Sequence, residues 1–176
     1  MKKNINTPTE LFFDQLRDLY TVEIQLRDAM PRLIVLCTNE ELREMIVSHS
    51  HQNGFQISEI SAVFKRHGQS REAVQCKAME GLIKDGTAKL EAVNSPAIRD
   101  LMIISHCLRV EYYEIAAYEF TCTLAGRLGL IQAPEVLNGL MEQELDMAAA
   151  LMLLEPELFE TAHLEDDSNL MLQAVS

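Results

Sequence analysis

Apolar residues recur at steps of three and four along four long segments of the chain, the spacing of one buried helical face. The first segment reads Phe12, Leu16, Leu19, Leu26, Met30, Leu33, and begins at Thr7-Pro8-Thr9-Glu10, a capping box with proline at the first helical position. This predicts helix A from there to about Val35, with a kink at Pro31. Thr38 and Glu41 read as a second capping box opening helix B, about Glu40 to Arg66, whose seam runs Leu42, Ile46, Ser50, Asn53, Ile57, Ile60, Phe64. So short a connection makes A and B antiparallel neighbours. Gly68 closes B. Gln69 to Asn94 reads as a crossover with a shorter helical pattern at Val74, Met79, Leu82 and Ile83. Ser95-Pro96 caps helix C, which continues to about Arg127 before Gly129, and Pro134 opens helix D, with Pro156 just past its end.

Three seams contain a residue that does not belong on a packing surface. Helix A carries Glu23 between Leu19 and Leu26. Helix C steps Leu101, Ile104, Leu108, Glu111, Ile115, Tyr118, Cys122, Ala125, and helix D steps Leu137, Met141, Glu144, Ala148, Leu151. Glu114 lies one turn beyond Glu111 and projects to nearly the same side. The middle of B is polar as well, SHSHQNGFQ, with His49 on the flank of its seam. A buried carboxylate is costly unless it is paired, protonated or bound to a cation. Glu23, Glu111 and Glu144 are therefore expected to meet at mid-bundle, with Glu114 and His49 at the margin. Each of these residues taken alone also fits a solvated or ordinarily paired side chain, and His49 and His51 fit surface or hydrogen-bonded histidines.

The remaining composition narrows the class. No alternating strand pattern occurs, and 176 residues with 48 % hydrophobic content suit one all-α domain. The expected architecture is a four-helix bundle with a short extra crossover helix over residues 1–156, followed by an acidic tail, 157–176, that is either frayed or docked as a small helix. A net charge of −12 leaves no basic stripe for phosphates, so nucleic acid is not an expected partner. No 18-residue apolar run points to a membrane span. Cys37, Cys76, Cys107 and Cys122 form no C-x-x-C pair and fit a reducing cytoplasm.

Carboxylates inward from several helices of a bundle are the donor set of di-iron and di-manganese proteins, and hard or borderline cations prefer them, with a His or two completing the sphere. The full pattern there includes two Glu-x-x-His pairs. None occurs in the four long helices, and Glu160 to His163 lies in the tail.

The pieces DLYTVEIQL at Asp18 to Leu26, CKAMEGLI at Cys76 to Ile83, VEYYEIAAY at Val110 to Tyr118 and EQELDMAAAL at Glu142 to Leu151 resemble the YciF/YciE-like ferritin-like family over roughly Thr9 to Leu154. The resemblance implies a bundle with a crossover related to rubrerythrin and ferritin, commonly a homodimer, bacterial, associated with stress responses and without a settled enzymatic activity. It also implies that Glu23, Glu111, Glu114 and Glu144 match acidic positions of the metal centre ascribed to the family, with His49 retained. In helix B, where the family reads like HLEET, this chain has His51, Gln52 and Asn53 after His49 and Ser50. Ala148 stands where the family places an Asp, and Tyr112 where it often has a His.

Two functions remain open. One is a ferritin-like protein binding iron or manganese through Glu23, His49, Glu111, Glu114 and Glu144, with at most one well-held ion. The other is a metal-free helical interaction protein that has lost the chemistry. A homodimer is expected in either case, with Phe55 and Met102 as apolar residues off the intra-bundle seams.

Overall fold

The computed structural model describes residues 4–72 and 75–174, with side chains described as far as Leu164. Met1 to Lys3 and Val74 lie outside the described residues, as do the side chains of the apolar end of the tail. Five helices follow one another: α1 (Pro8–Leu36), α2 (Glu40–Arg66), α3 (Lys77–Glu91), α4 (Pro96–Arg127) and α5 (Ala133–Ala174). No strand occurs among the described residues. The four long helices form the bundle and α3 is the crossover.

Local chemistry sets most of the boundaries. Thr7 and Glu10 form the reciprocal capping box of α1, and Ser95 Oγ accepts from the Ile98 amide at the start of α4. Gly68 and Gly129 adopt φ of 62° and 64°, the left-handed conformation that ends α2 and α4 and that glycine enters without a Cβ clash.

At the A–B turn the cap differs from the one expected. Asn39, not Thr38, is the N-cap, and its side chain accepts from the Leu42 amide. Thr38 turns instead to Asp100 of α4. That buried carboxylate accepts from the amides of Thr38 and Asn39 at 2.9 and 2.8 Å and from the Thr38 hydroxyl. A long-range acceptor thus outcompeted the local Glu41, and it ties the start of α4 to the α1–α2 turn.

The contacts define the topology. Phe13 near the start of α1 meets Phe64 and His67 at the end of α2, so these helices are antiparallel. The α1–α2 turn lies at the N-terminus of α4, so α2 and α4 run parallel. Cys122 late in α4 donates to the Pro134 carbonyl early in α5, which returns antiparallel. One apolar cluster, around Phe12, Leu16, Phe64, Tyr118 and Leu137, fills one end of the bundle. Another, around Leu42, Ile46, Ile104 and Leu151, fills the other end. A third, of Val22, Leu26, Met30, Met79 and Val110, seats α3 across α1 and α4. Between the two end clusters lies a polar layer.

Helix α5 does not stop at Pro156 but continues through it. Pro156 is exposed, as is Met152, whose carbonyl would have received the missing amide and is left to water. The buried stripe meanwhile carries on through Leu151, Leu154, Leu158 and Ala162, so packing holds the helix where local propensity would end it. Pro31, also exposed, is accommodated within α1 in the same way. Met102 is half-buried against the second cluster rather than free, whereas Phe55 is exposed as expected.

Leu158 reports on this extension. Leu158→Ala is expected to destabilise the protein by about 2–4 kcal/mol, the range for deleting a buried leucine, whereas a frayed tail predicts no change in the chemical-denaturation midpoint.

Candidate metal centre

The polar layer is built by one residue each from α1 and α5 and three each from α2 and α4. Glu23 comes from α1, His49, Asn53 and Gln56 from α2, Glu111, Glu114 and Tyr118 from α4, and Glu144 from α5; all eight are buried. Ligand atoms of His49, Glu111 and Glu144 lie within 4.8 Å of one another, and so do those of Glu23, Glu114 and Glu144. All five candidates from the sequence are therefore brought together, in two groups that share Glu144.

Two placements differ from expectation. Glu114 and His49 sit inside the layer rather than at its margin, only 1 % and 5 % exposed. The reason is helix phase. The buried face of α4 runs Ile103, Cys107, Val110, Glu114, Tyr118, Thr121, Ala125, about one residue away from the apolar seam, and half-buries Leu108 and Ile115. On α2 the buried face takes His49 and Gln56 in place of Ser50 and Ile57. His51 is exposed and takes no part. Tyr112 is exposed, its hydroxyl directed at Met152 Sδ, while Ala148 is buried.

Gln56 is the member of the site that an apolar seam could not indicate. The available signal was spacing: Asn53 and Gln56 are three residues apart on the inward face of α2, the separation of a Glu-x-x-His pair. Neutral amides occupy those slots here. Asn53 Nδ2 donates to Glu23 Oε2 at 2.6 Å and to the Glu23 carbonyl at 2.9 Å. Gln56 Nε2 donates to Glu144 Oε1, and the Tyr118 hydroxyl donates to Glu23 Oε1. Glu23 thus has both oxygens held by donors and Glu144 has one.

The remaining atoms are without such support. Both oxygens of Glu114, Oε2 of Glu111, Oε2 of Glu144 and Nδ1 of His49 are buried with no hydrogen-bond partner. His49 Nε2 stands 3.6 Å from Glu111 Oε1 and 3.5 Å from Glu144 Oε2, too long for strong hydrogen bonds. Those spacings suit atoms facing a common centre, since ligands about 2.1 Å from an ion at right angles lie about 3 Å apart.

Burial is the chief reason all four carboxyls hold their protons more tightly than usual. Glu23 is pushed up to about 8, by burial and by the charge of Glu144, against the hydrogen bonds from Tyr118 and Asn53. Glu111 is pushed up to about 7, by burial opposed by its hydrogen bond with Glu144, with the Glu23 charge adding to the rise. Glu114 and Glu144 are likewise raised well above the usual range, Glu114 by burial and the other three carboxylates, Glu144 by burial against the opposing influence of His49. Tyr118 is raised by burial and by neighbouring carboxylates, and so stays a hydroxyl donor.

A four-helix bundle with carboxylates and one imidazole gathered in its dry middle layer belongs to the class of helical proteins with an inward polar site. The chain belongs to the family described as Domain of unknown function (DUF892), whose model matches residues 7–163. It is 32 % identical over 142 residues to Protein YciF of Escherichia coli (strain K12), covering 80 % of this chain and 86 % of that one. The crystal structure of the E. coli stress protein YciF superposes with a TM-score of 0.85 at 30 % identity, covering 89 % of this chain and 99 % of that one. YcfI from Rhodopseudomonas palustris gives a TM-score of 0.83 at 30 % identity, covering 86 % and 96 %. A protein from Xanthomonas campestris pv. campestris shares the fold, with a TM-score of 0.72 at 17 % identity over 92 % and 99 %.

The raised carboxyls give a signed pH dependence. A group whose folded pKa lies above its unfolded value stabilises fully below the unfolded value, and that stability is lost as pH rises through the folded value. For Glu111 and Glu23 the window runs from about 4.5 to about 7 and 8. Metal-free protein is therefore expected to melt at a lower temperature at pH 8 than at pH 5.5, and Glu114→Gln to flatten that slope and raise the melting temperature at pH 8. Scanning calorimetry in chelator at the two pH values measures both.

Proposed function

We propose that the chain is a ferritin-like metal protein whose middle layer holds iron or manganese, with His49 and Glu111 serving one position, Glu23 and Glu114 a second, and Glu144 facing both. The observation that carries this reading is the set of buried, partnerless donor atoms on Glu111, Glu114, Glu144 and His49. A cation satisfies them together, and it offsets the repulsion among four carboxylates in a low-dielectric layer. Oxygen donors with one imidazole suit iron or manganese over a soft ion. Bound, such an ion supplies redox chemistry that the side chains lack. Tyr118 and Asn53 fix the orientation of Glu23, Gln56 fixes Glu144, and the apolar clusters on either side exclude water.

A second reading, a bundle that has given up metal and serves as an interaction protein, is favoured by Asn53 and Gln56. They have the spacing of a Glu-x-x-His pair but are neutral amides, and they hydrogen-bond Glu23 and Glu144 without any ion. Elemental analysis of protein purified without chelator or metal-affinity resin separates the two. The metal reading expects about one to two ions per chain, lost more completely in Glu144→Gln than in Glu23→Gln because Glu144 faces both positions. Protons compete for the same oxygens, so affinity should fall as pH falls from 8 to 6. An apparent affinity that rises on acidification, or bound metal unaffected by Glu144→Gln, contradicts the reading.

The setting follows from the relatives and the surface. E. coli YciF, on which this chain superposes, is a stress protein, which supports a role for this chain under stress. Four free cysteines, three of them buried, suit the reducing cytoplasm. Among the described residues no helix is long and apolar enough to cross a membrane. Exposed Tyr112, Leu145, Met152 and Phe159 on the outer side of α4 and α5 support a homodimer. Light scattering is expected to give about twice the chain mass, and a value near 19.9 kDa at micromolar concentration would contradict the dimer.

A further inference from the structure

The metal reading leaves open how anything reaches a layer sealed by apolar clusters above and below. On the side of the bundle covered by α3, two spaces lie one behind the other with a thin wall between them. A cavity of about 30 Å³ lies between α1 and α4 beneath α3, with His49 and Glu111 at its inner end and Leu26, Met30, Val110 and Met147 among its walls. A larger cleft of about 230 Å³ opens outside it, past Asp28, Arg32 and Thr87. The two share Ala29, Leu33, Ile83 and His106, so these four side chains form the wall between cleft and cavity.

His106 is buried, 6 % exposed, and it rests on α3 at Gly86. A Cβ at Gly86 would overlap the His106 ring, so glycine is what lets the ring sit in a notch of the crossover helix. Arg32 of α1, which lines the outer cleft, pairs with Glu91 of α3, both side chains more than half exposed. The crossover helix is thus pinned at the surface and notched at depth, and the imidazole stands with Leu33 and Ile83 in the wall between outer cleft and inner cavity.

We propose that this passage under α3 is the route by which a small uncharged molecule, of the size of dioxygen or hydrogen peroxide, reaches the His49–Glu111 side of the centre, with His106 as its gate. This rests on the metal reading. The inner cavity exceeds the roughly 10–15 Å³ needed to hold one water-sized molecule. Its apolar walls favour a neutral diatomic or peroxide over a hydrated ion, whose desolvation they cannot repay. The inner end stops at the two ligands served by His49 and Glu111 rather than at Glu23, so the molecule arrives at one side of the carboxylate layer. The narrow bore excludes anything the size of an organic substrate.

Two variants act on the passage in opposite directions without touching a ligand. Ala29→Leu places a larger side chain where both spaces meet, and His106→Ala removes the gate. Xenon under pressure is the probe that needs no metal: crystals of the chelated protein should show it between Met30 and Val110 in the wild type and in His106→Ala, and lose it in Ala29→Leu. With Fe(II) loaded to equal content, oxidation followed by stopped-flow absorbance should be roughly tenfold slower in Ala29→Leu and faster in His106→Ala. Parallel runs with dioxygen and with hydrogen peroxide identify the molecule admitted as the one whose reaction responds. A wild-type cavity without xenon overturns the passage, as does oxidation by both oxidants at the wild-type rate in both variants. A chain that binds no iron removes the metal reading while the xenon result still decides the passage. If Ala29→Leu does not fold, His106→Ala alone decides: an unchanged rate with both oxidants overturns the gate.

Discussion

The constraint on which this molecule depends is the presence of four carboxyl groups in a layer almost closed to solvent. Glu23, Glu111, Glu114 and Glu144 are each no more than 2 % exposed. At such depth the ionised form is strongly disfavoured, and mutual repulsion adds to the cost. The rest of the bundle is arranged around that layer. Large apolar side chains are concentrated in clusters at its two ends, and the middle is left to groups that donate to carboxylates. Asn53 and Gln56 add no charge to the layer and supply amide donors to Glu23 and Glu144. As neutral amides they are also weaker metal ligands than carboxylate or imidazole. Stability of the empty bundle and capacity for metal therefore pull on the same positions in opposite directions.

Holding such a layer requires helices that keep their relative heights. Asp100 provides one anchor, since its three hydrogen bonds to Thr38 and Asn39 fix the start of α4 against the α1–α2 turn. The parallel pair α2 and α4 is thereby set in register, and His49 comes level with Glu111. The crossover helix provides another: Met79 is fully buried among Val22, Leu26, Met30 and Val110. Tyr113 links the same region by donating to Asp18 Oδ2 at 3.0 Å, with Cys76 Sγ 3.2 Å from its hydroxyl. Burial, the Cys76 contact and Asp18 all raise the Tyr113 pKa, so this link persists across the neutral range.

Membership in the family and close superposition on YciF settle the architecture and leave the chemistry to be read from the layer itself. Polar groups that find partners inside the protein, such as Glu23 with Tyr118 and Asn53, are compatible with an empty core. Groups that find none, such as Glu114, are not easily explained by packing, because an apolar residue of the same size would fill the space at less cost. The contrast between these two glutamates separates what the bundle needs from what a cation would need.

The sequence by itself determined the class, the crossover and most helix ends, because caps, left-handed glycines and apolar periodicity are local signals. It also singled out Glu23, Glu111 and Glu144, since a charge in an apolar seam is visible as an interruption. Only the tertiary structure decided which residues share the layer. Apolar residues mark a buried face to within about one residue in phase, and where the buried side chains are themselves polar the pattern points to the wrong neighbour, as Ile57 did for Gln56 and Ile115 for Glu114. It likewise decided the turn at Thr38, where Asp100, sixty-two residues away, replaced the local cap. The passage of α5 through Pro156 was settled in the same way. A proline removes one hydrogen bond locally, whereas Leu158 and Ala162 are held by contacts with other helices, and that packing outweighs the local loss.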